Sequence, residues 1–184
     1  MDELKKEKEE GLDLEYLLDA PQQLEESAHK HQTPGFGIAG QLFASIAKVL
    51  VEKLGPEEGE ALLKEAVDFF GKERGKRIAE KVKADGKPQT FKNWLIYTDI
   101  DSTKNFASEP EIDNDDLVAK VTNCTFCNGA AEWGLTEYAK IYCKYADYAI
   151  HEGYGAGVKL ILEDRFSSGT DHCIFRFIMK DANK

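Results

Sequence analysis

Three thiols and two carboxylates in the C-terminal half of this chain have spacings that could gather them at one place. They are Cys124, Cys143, Cys173, Asp147 and Glu163. An ionised thiol is a nucleophile and a metal ligand, whereas a protonated buried thiol is only a small apolar group. A carboxylate beside a thiol can move protons as a general acid or base. These residue types therefore predict either a catalytic site or an inert part of the core.

Cys143 and Asp147 are spaced by one helical turn. The apolar residues of 135–151 recur with a helical period, which predicts a helix with one buried face. The two side chains then lie one above the other at the edge of that face, with His151 further round towards solvent. Cys143 is our first choice of nucleophile, because a carboxylate lies one turn away. The competing interpretation is a small buried thiol beside an exposed surface carboxylate.

The last two predicted strands carry further polar side chains. On the last strand, alternation places Cys173 and Phe175 on one face of the sheet. His172 and Arg176 lie on the other face. Cys173 should therefore point into the core or into a pocket buried against it. Glu163, on the preceding strand, should either pair with a basic neighbour or enter the same cavity.

The Cys-x-x-Cys pair of Cys124 and Cys127 suggests zinc or redox chemistry. A four-thiolate zinc site usually consists of two close pairs, whereas Cys143 and Cys173 are single and far apart in sequence. A thioredoxin-like pair would need the motif to open a helix after a strand, which this sequence permits. We therefore expect no resident cofactor and no metal, with zinc as the alternative.

Helical periodicity dominates the first half of the chain, and strand alternation appears in the second. Long helices are predicted from Ile38 to the Gly55-Pro56 stop and from there to the segment ADGKP. The stripe expected to be buried in the second helix consists of Leu62, Leu63, Val67, Phe70, Ile78, Ala79 and Val82. The polar segment 99–116 is predicted to be a loop, and VKLILEDRF and CIFRFIMK to form a hairpin. This order predicts an α+β fold, in which N-terminal helices precede a small antiparallel sheet with a packed helix.

The composition limits the class of protein. The 184 residues are 42% hydrophobic and 32% charged, the mix of a globular domain with one core. A net charge of −10 argues against a nucleic-acid partner, because phosphate binding needs a basic face. No apolar run approaches the roughly 20 residues that span a bilayer, and the N-terminus has no apolar export signal. We therefore expect a cytoplasmic protein with reduced cysteines and no membrane partner.

The chain is expected to divide near residue 37. Residues 1–37 are predicted to be an N-terminal extension, helical or partly disordered, and residues 38–184 to be an α+β domain. His29 and His31 in the extension could be ligands, although an exposed polar loop is the preferred interpretation. Assembly into a homo-oligomer is compatible with this organisation.

At the cysteines and carboxylates of its C-terminal half, the chain resembles the L-2-amino-thiazoline-4-carboxylic acid hydrolase family. In that family, a strand ending in cysteine precedes a helix with Cys-x-x-x-Asp, a strand with glutamate and a Gly-x-x-x-Cys-x-Phe strand. The matching segments are VTNC at Cys124, YCKYAD at Cys143 and Asp147, LILED at Glu163, and GTDHCIFRF at Gly169, Cys173, Phe175 and Phe177. The upstream segment LLKEAVDFFGKERGKRIAEKVKADG also matches, so the resemblance covers residues 38–180. Cys127 is not part of the pattern.

The resemblance implies hydrolysis of a small cyclic amidine or thio-imidate, such as a 2-aminothiazoline carboxylate. Hydrolysis requires attack on the ring carbon between nitrogen and sulfur, for which a thiolate is well suited. One of Cys124, Cys143 and Cys173 would add to this carbon. Asp147 or Glu163 would act as general acid and base.

The substrate contacts implied in the same way come from the last strands and their flanks. Arg165 or Arg176 could hold the substrate carboxylate. Phe175 and His172 complete the set of predicted substrate-binding residues.

A non-catalytic domain of the same fold, which binds or senses a small molecule or a metal, is the alternative function. The family is similar to vinyl-reductase-type ligand-binding domains, some of which hold zinc. Zinc on Cys143, Glu163 and Cys173 would need another donor here, because Phe166 stands where those domains have a cysteine.

Overall fold

The structure, a computed structural model, describes Gln22, residues 35–114 and residues 116–178. The predicted N-terminal extension, with His29 and His31, lies outside the described residues except at Gln22 and 35–37. The proposed boundary at residue 37 stays a prediction.

Two long helices open the described part of the chain. Helix α1 spans Gly35–Leu54 and helix α2 spans Pro56–Ala84. Gly55 separates them with a φ of 88°, a conformation that glycine adopts without steric cost. Pro56 opens α2, where its missing N–H would have no helical partner in any case. Glycine and proline therefore set this boundary where the sequence predicted it.

Four further helices follow, one of which is long. They are α3 (Phe91–Tyr97), α4 (Ser102–Asn105), α5 (Thr125–Glu132) and α6 (Thr136–Tyr154). Helix α6 ends at Gly155, which is left-handed with a φ of 73°. The predicted helix around Cys143 is therefore confirmed.

Helices α2 and α6 approach each other so closely that their backbones touch. A Cβ at Gly71 of α2 would lie 2.6 Å from the Cβ of Ala149, a separation that real side chains do not show. A Cβ at Gly75 would overlap the carbonyl oxygen of Ile150, and one at Gly153 of α6 would overlap the backbone of α2. Glycine at these positions thereby fixes α6 against α2.

Four antiparallel strands form one sheet in the order β1-β2-β4-β3. The strands are β1 (Phe106–Asp113), β2 (Asp116–Cys124), β3 (Lys159–Asp164) and β4 (Cys173–Ile178). The predicted hairpin is confirmed as β3 and β4. Both edge strands pair irregularly: the register of β1 shifts between Ala107 and Ser108, and that of β3 between Leu162 and Asp164. The helices with this sheet confirm the α+β fold.

The polar segment 99–116 is not the loop that its composition predicted. It contains α4 and the whole of β1, whose residues are largely exposed. A strand forms here because β2 offers a free edge, and pairing along that edge overrides the weak strand propensity of glutamate and proline. Pro110 is tolerated because β1 is an edge strand.

The buried face of α2 differs in part from the predicted stripe. Leu63, Val67 and Ile78 are buried as expected. Leu62 and Phe70 are exposed, because glycines occupy the positions where α2 meets α6 most closely.

Helix α1 buries its small residues and exposes its large ones. Its buried residues are Gly37, Gly40, Gln41, Ala44 and Ala47. Its outer stripe, defined as Ile38, Leu42, Ile46 and Val49, is about half exposed or more. By length and composition alone this helix could also cross a membrane, a test that the core helices of soluble proteins pass as well. The statement that no apolar run approaches that length is therefore wrong for α1, and the absence of a membrane partner stays a prediction.

His151 is buried, contrary to its predicted solvent exposure. Its Nε2 lies 2.7 Å from the carbonyl oxygen of Val158. Its ring also packs edge-on against Trp94 and Phe91. Helix α3, which covers this end of α6, could not be placed from the periodicity of α6 alone.

Candidate active site

Four elements bring four thiols together at one end of the sheet. Cys124 is the last residue of β2 and the N-cap of α5, and Cys127 lies in the first turn of α5. Cys143 comes from α6, and Cys173 is the first residue of β4. Cys124 and Cys173 are buried, whereas Cys127 and Cys143 are half-buried. All four thiols are free.

The thiols of Cys124, Cys127 and Cys143 form a chain of hydrogen bonds. The Sγ atoms of Cys127 and Cys143 are 3.6 Å apart. The bond to Cys127, together with burial, raises the pKa of Cys124 far above its ordinary value. The bond from Cys124 lowers the pKa of Cys127, but its bond to Cys143 and burial raise that pKa overall. In the contact between Cys127 and Cys143, either sulfur can be the donor.

Cys173 lies beside these hydrogen-bonded thiols, and its own thiol is protonated. Burial raises its pKa to about 11. Its Sγ accepts a hydrogen bond from the backbone N–H of Phe166 at 3.4 Å. A thiol with this pKa is a small apolar group at neutral pH.

Asp147 lies one turn from Cys143 and has no hydrogen bond or ion pair to any residue that the structure describes. Its side chain is half-buried. Burial raises its pKa to about 6, although the positive charges of Arg74 and Arg165 oppose that rise. A carboxyl with this pKa is suited to gain and lose a proton near neutral pH.

Arg74 of α2 supplies the nearest firmly held positive charge. Its Nε donates to the two carboxylate oxygens of Asp99 at 2.8 and 3.0 Å. The guanidinium also lies over the ring of Phe70, with 6.0 Å to the ring centroid. Burial raises the pKa of Tyr142, and Arg74 lowers it, so Arg74 acts on both Tyr142 and Asp147. The guanidinium of Arg74 is therefore a positive charge that acts on the site.

Arg165 lies on the same side as Asp147, whereas Arg176 and Glu163 lie elsewhere. The Nη1 of Arg165 donates to the carbonyl oxygen of Lys144 at 3.4 Å. Arg176 donates to Glu163, and its other nitrogens pair with Asp113 at 2.9 Å and Asp116 at 3.4 Å. Glu163 thus takes the first of its two predicted roles, pairing with a basic neighbour.

The two remaining predicted contacts also lie apart from the thiols. His172 pairs with Asp171 at 2.6 Å and with Asp164 at 3.6 Å. Phe175 stacks on Phe177 with 6.4 Å between ring centroids. The structure therefore gathers Cys124, Cys143, Cys173 and Asp147, and it places Glu163, Arg176, His172 and Phe175 outside that group.

A cleft of about 270 Å³ opens beside the thiol chain. It is lined by Cys127, Asn128, Ala131, Thr136, Ala139, Lys140, Phe166, Gly169 and Thr170. Cys127 borders the cleft, and Cys143 lies directly behind it. Lys140 supplies a cation at the rim, and its side chain also pairs with Glu137 at 2.7 Å. The cleft is near the lower size limit of small-molecule sites, which suits a compact ring compound.

Within residues 35–114 and 116–178, no three or more histidine, cysteine, aspartate and glutamate side chains are arranged to hold a metal. The zinc set considered from the sequence included Glu163, which is paired with Arg176 instead. The structure thus offers no support for zinc on Cys143, Glu163 and Cys173.

Sequence reasoning missed three residues of this site. Cys127 was visible in the Cys-x-x-Cys motif, and that motif does open a helix after a strand. Arg74 lies in the segment FFGKERG of the family-like helix, but nothing in its spacing pointed to Asp147. Lys140 precedes Cys143 by one turn on α6, where a helical wheel would have found it.

A family model described as L-2-amino-thiazoline-4-carboxylic acid hydrolase matches residues 35–177 of the chain. No curated protein and no solved structure matches the chain.

Proposed function

Because this chain belongs to the L-2-amino-thiazoline-4-carboxylic acid hydrolase family, we propose that it opens the ring of a small cyclic amidine or thio-imidate. The substrate class is a 2-aminothiazoline carboxylate or a close analogue. Cys143 is the nucleophile, and Asp147 is the general acid and base. The observation that carries the proposal is the chain of thiols that ends at Cys143, one turn from an unpaired carboxyl.

The contact of the Cys127 thiol with the Cys143 thiol supports Cys143 as the nucleophile. A hydrogen bond to an ionised group favours its ionised form. Cys127, held as a donor by its raised pKa, can stabilise a thiolate at Cys143 in this way. The positive charges of Arg74 and Arg165 partly offset the negative charge that Asp147 carries when it is ionised.

In the first step, the Cys143 thiolate forms a bond to the ring carbon between nitrogen and sulfur. The electron pair of the carbon–nitrogen double bond moves to the ring nitrogen, which takes the proton of Asp147. The exocyclic amine then donates its lone pair to the carbon as the ring carbon–nitrogen bond breaks. The proton that the amine loses passes through Asp147 to the departing nitrogen.

In the second step, water replaces the enzyme sulfur. Asp147 takes one proton from water as the water oxygen bonds to the same carbon. The electron pair of the remaining carbon–nitrogen double bond moves to the exocyclic nitrogen, which takes the second proton of the water. The oxygen then forms the carbonyl double bond. The bond between this carbon and the Sγ of Cys143 breaks, and its electron pair returns to Cys143 as thiolate. The product is an S-carbamoyl thiol with a free amine, and the net reaction consumes one water.

The residues that line the cleft support the proposal that the substrate carries a carboxylate. Lys140 and Thr136 line the cleft and can donate to a carboxylate. The hydroxyl of Thr170 already donates to backbone carbonyl oxygens. Arg176, one of the cations considered from the sequence, is occupied by three carboxylates. Lys140 is therefore the cation that we assign to the substrate carboxylate, with Arg165 closer to Asp147.

Binding without turnover is the second candidate function. The raised pKa values of Cys124, Cys127 and Cys173 favour it, because a protonated thiol is a poor nucleophile. A cleft lined by the protonated thiol of Cys127 and by Lys140 would still bind a small heterocyclic acid.

The decisive experiment measures ring opening of 2-aminothiazoline-4-carboxylate by the wild type and three single variants. We expect Cys143→Ser to reduce kcat/KM on the order of 10³-fold, as loss of a nucleophile does. Cys124→Ser and Cys173→Ser are matched controls and should retain more activity. Labelling with iodoacetamide, read by mass spectrometry, should modify Cys143 first, and the substrate should protect it.

Binding of the thiazoline to the wild type with no ring opening would reject the hydrolase in favour of the binding domain. Full activity of Cys143→Ser would reject the assigned nucleophile.

A further inference from the structure

Cys127 contacts the proposed nucleophile with its own thiol. The two Sγ atoms are 3.6 Å apart, and the cysteines come from different helices, α5 and α6. A sulfur–sulfur bond is about 2.05 Å long, so the two atoms must close by roughly 1.5 Å to form one. Side-chain rotation within a contact of this kind can supply such a movement.

A small oxidant can reach this pair from solvent. Cys127 lines the cleft, and both thiols are half-buried rather than sealed in the core. Cys124 and Cys173, in contrast, are only 8% exposed. Oxidation of thiols follows their exposure as well as their ionisation.

We propose that Cys127 and Cys143 are a site of reversible disulfide formation by peroxide. Peroxide oxidises one thiol of the pair to a sulfenic acid and releases one water. The other thiol displaces the sulfenic hydroxyl, forms the sulfur–sulfur bond and releases a second water. The pair loses two electrons and two protons, and these reduce one hydrogen peroxide to two waters.

Disulfide formation would switch off the proposed hydrolysis, because Cys143 would no longer be free to attack. This consequence rests on the proposed function. The disulfide itself rests only on the contact of the two sulfurs and on their access from the cleft. Reduction by a dithiol would restore both thiols.

The test treats the full-length protein with hydrogen peroxide, blocks the remaining thiols and digests it with trypsin. Cleavage after Lys120, Lys140 and Lys144 places Cys127 in peptide 121–140 and Cys143 in peptide 141–144. We expect a cross-link between these two peptides that disappears on treatment with dithiothreitol. Cys127→Ser should abolish the cross-link, and the matched variant Cys124→Ser, which changes the other cysteine of the same peptide, should retain it.

Other products would overturn the inference. They are a disulfide within peptide 121–140, which would join Cys124 to Cys127, and a sulfinic acid at Cys143 without any cross-link. A cross-link that survives in Cys127→Ser would likewise reject the assigned pair.

Activity gives a separate readout. The peroxide-treated wild type should lose most of its ring-opening activity and regain it with dithiothreitol. Cys127→Ser should regain little of its own starting activity. A wild type that forms the cross-link but never opens a thiazoline ring would reject the proposed function and leave the disulfide site established.

Discussion

Asp147 carries an ionisable carboxyl that is half-buried and unpaired among the described residues. Its pKa of about 6 in the folded chain lies above the ordinary value of 3.8, mainly because of burial. Between these two values the folded state binds the proton more tightly than the unfolded state. The stability that this proton contributes is therefore complete below about pH 4 and is lost as the pH rises through about 6.

Asp147→Asn should therefore stabilise the protein at alkaline pH. We expect an increase on the order of 2 kcal/mol in the free energy of unfolding at about pH 8, because asparagine cannot acquire the buried charge. The increase should shrink between pH 6 and 4 and vanish near pH 3. Urea denaturation across this range measures it.

The matched control is Glu65→Gln, which removes one carboxylate from an exposed position on α2. The control should change stability little at any pH. An Asp147→Asn variant that is less stable than the wild type at pH 8 would mean that the carboxylate has a stabilising partner.

Arg74→Met should shift the pH dependence of catalysis. Arg74 lowers the pKa of Asp147, so its removal should raise that pKa and move the corresponding limb of the profile of kcat/KM to higher pH. Arg77→Met is a suitable control, since Arg77 is exposed on the same helix. A limb that stays in place would show that Arg74 does not act on the titrating group.

At the level of residues, helical spacing predicted that Cys143 and Asp147 lie one turn apart on α6. The approach of Cys124 and Cys173 to Cys143 could not be predicted without the fold, because these three thiols lie on separate elements, β2, β4 and α6. Glu163 could not be assigned from alternation, because the irregular pairing of β3 occurs at this residue. Arg176 then captures its carboxylate.

At the level of elements, the contact of α2 with α6 determines where the site residues lie. Arg74 comes from α2, and Cys143 and Asp147 come from α6. Gly71 and Gly75 flank Arg74 and set the separation of the two helices.

Gly75→Ala should destabilise the protein by about 1–3 kcal/mol, because a methyl group would be forced into the backbone of α6. Urea denaturation measures the loss. The matched control is Gly35→Ala, at the first residue of α1, where an added Cβ would meet nothing within 4 Å. Equal stability of both variants would contradict the close packing.

The prediction of helices and strands succeeded where the sequence periodicity was strong. It failed where packing against an element distant in sequence determined the local structure. The boundary at Gly55 and the hairpin of β3 and β4 follow from local sequence. Strand β1 does not, because its polar residues form a strand only against β2. His151 was assigned to solvent because α3, which covers it, is distant in sequence.

At the level of the whole molecule, the outer stripe of α1 is a row of exposed apolar residues. Leu42 is 63% exposed, and Ile46 and Val49 are each 49% exposed. These three residues are spaced by four and then three positions, the spacing with which identical helices pair along a seam. A second copy of the chain, related by a two-fold axis, could cover the stripe with the same stripe.

We expect sedimentation velocity to show a dimer that the double variant Leu42→Glu, Ile46→Glu converts to a monomer. Lys53→Glu, a charge change at an exposed position near the end of the same helix, should leave the dimer intact. A monomeric wild type would contradict the prediction, and binding of wild-type protein to lipid vesicles would reassign the stripe to a membrane surface.

The order of the strands was the part of the whole-molecule fold that sequence could not supply. Local patterns predicted three of the four strands and the hairpin. The insertion of β4 between β2 and β3 depends on long-range pairing, such as Val121 with Cys173. That pairing brings Cys173 beside Cys124, so the site could not be assembled before the sheet was known.

Both outer strands of the sheet depart from regular pairing, β1 at Ala107 and β3 near Glu163. A further strand needs a straight row of unpaired N–H and carbonyl groups on which to align, and neither border provides one along its full length. Growth of the protein into ribbons or fibrils by strand addition is therefore obstructed at both borders, even when the chain is concentrated.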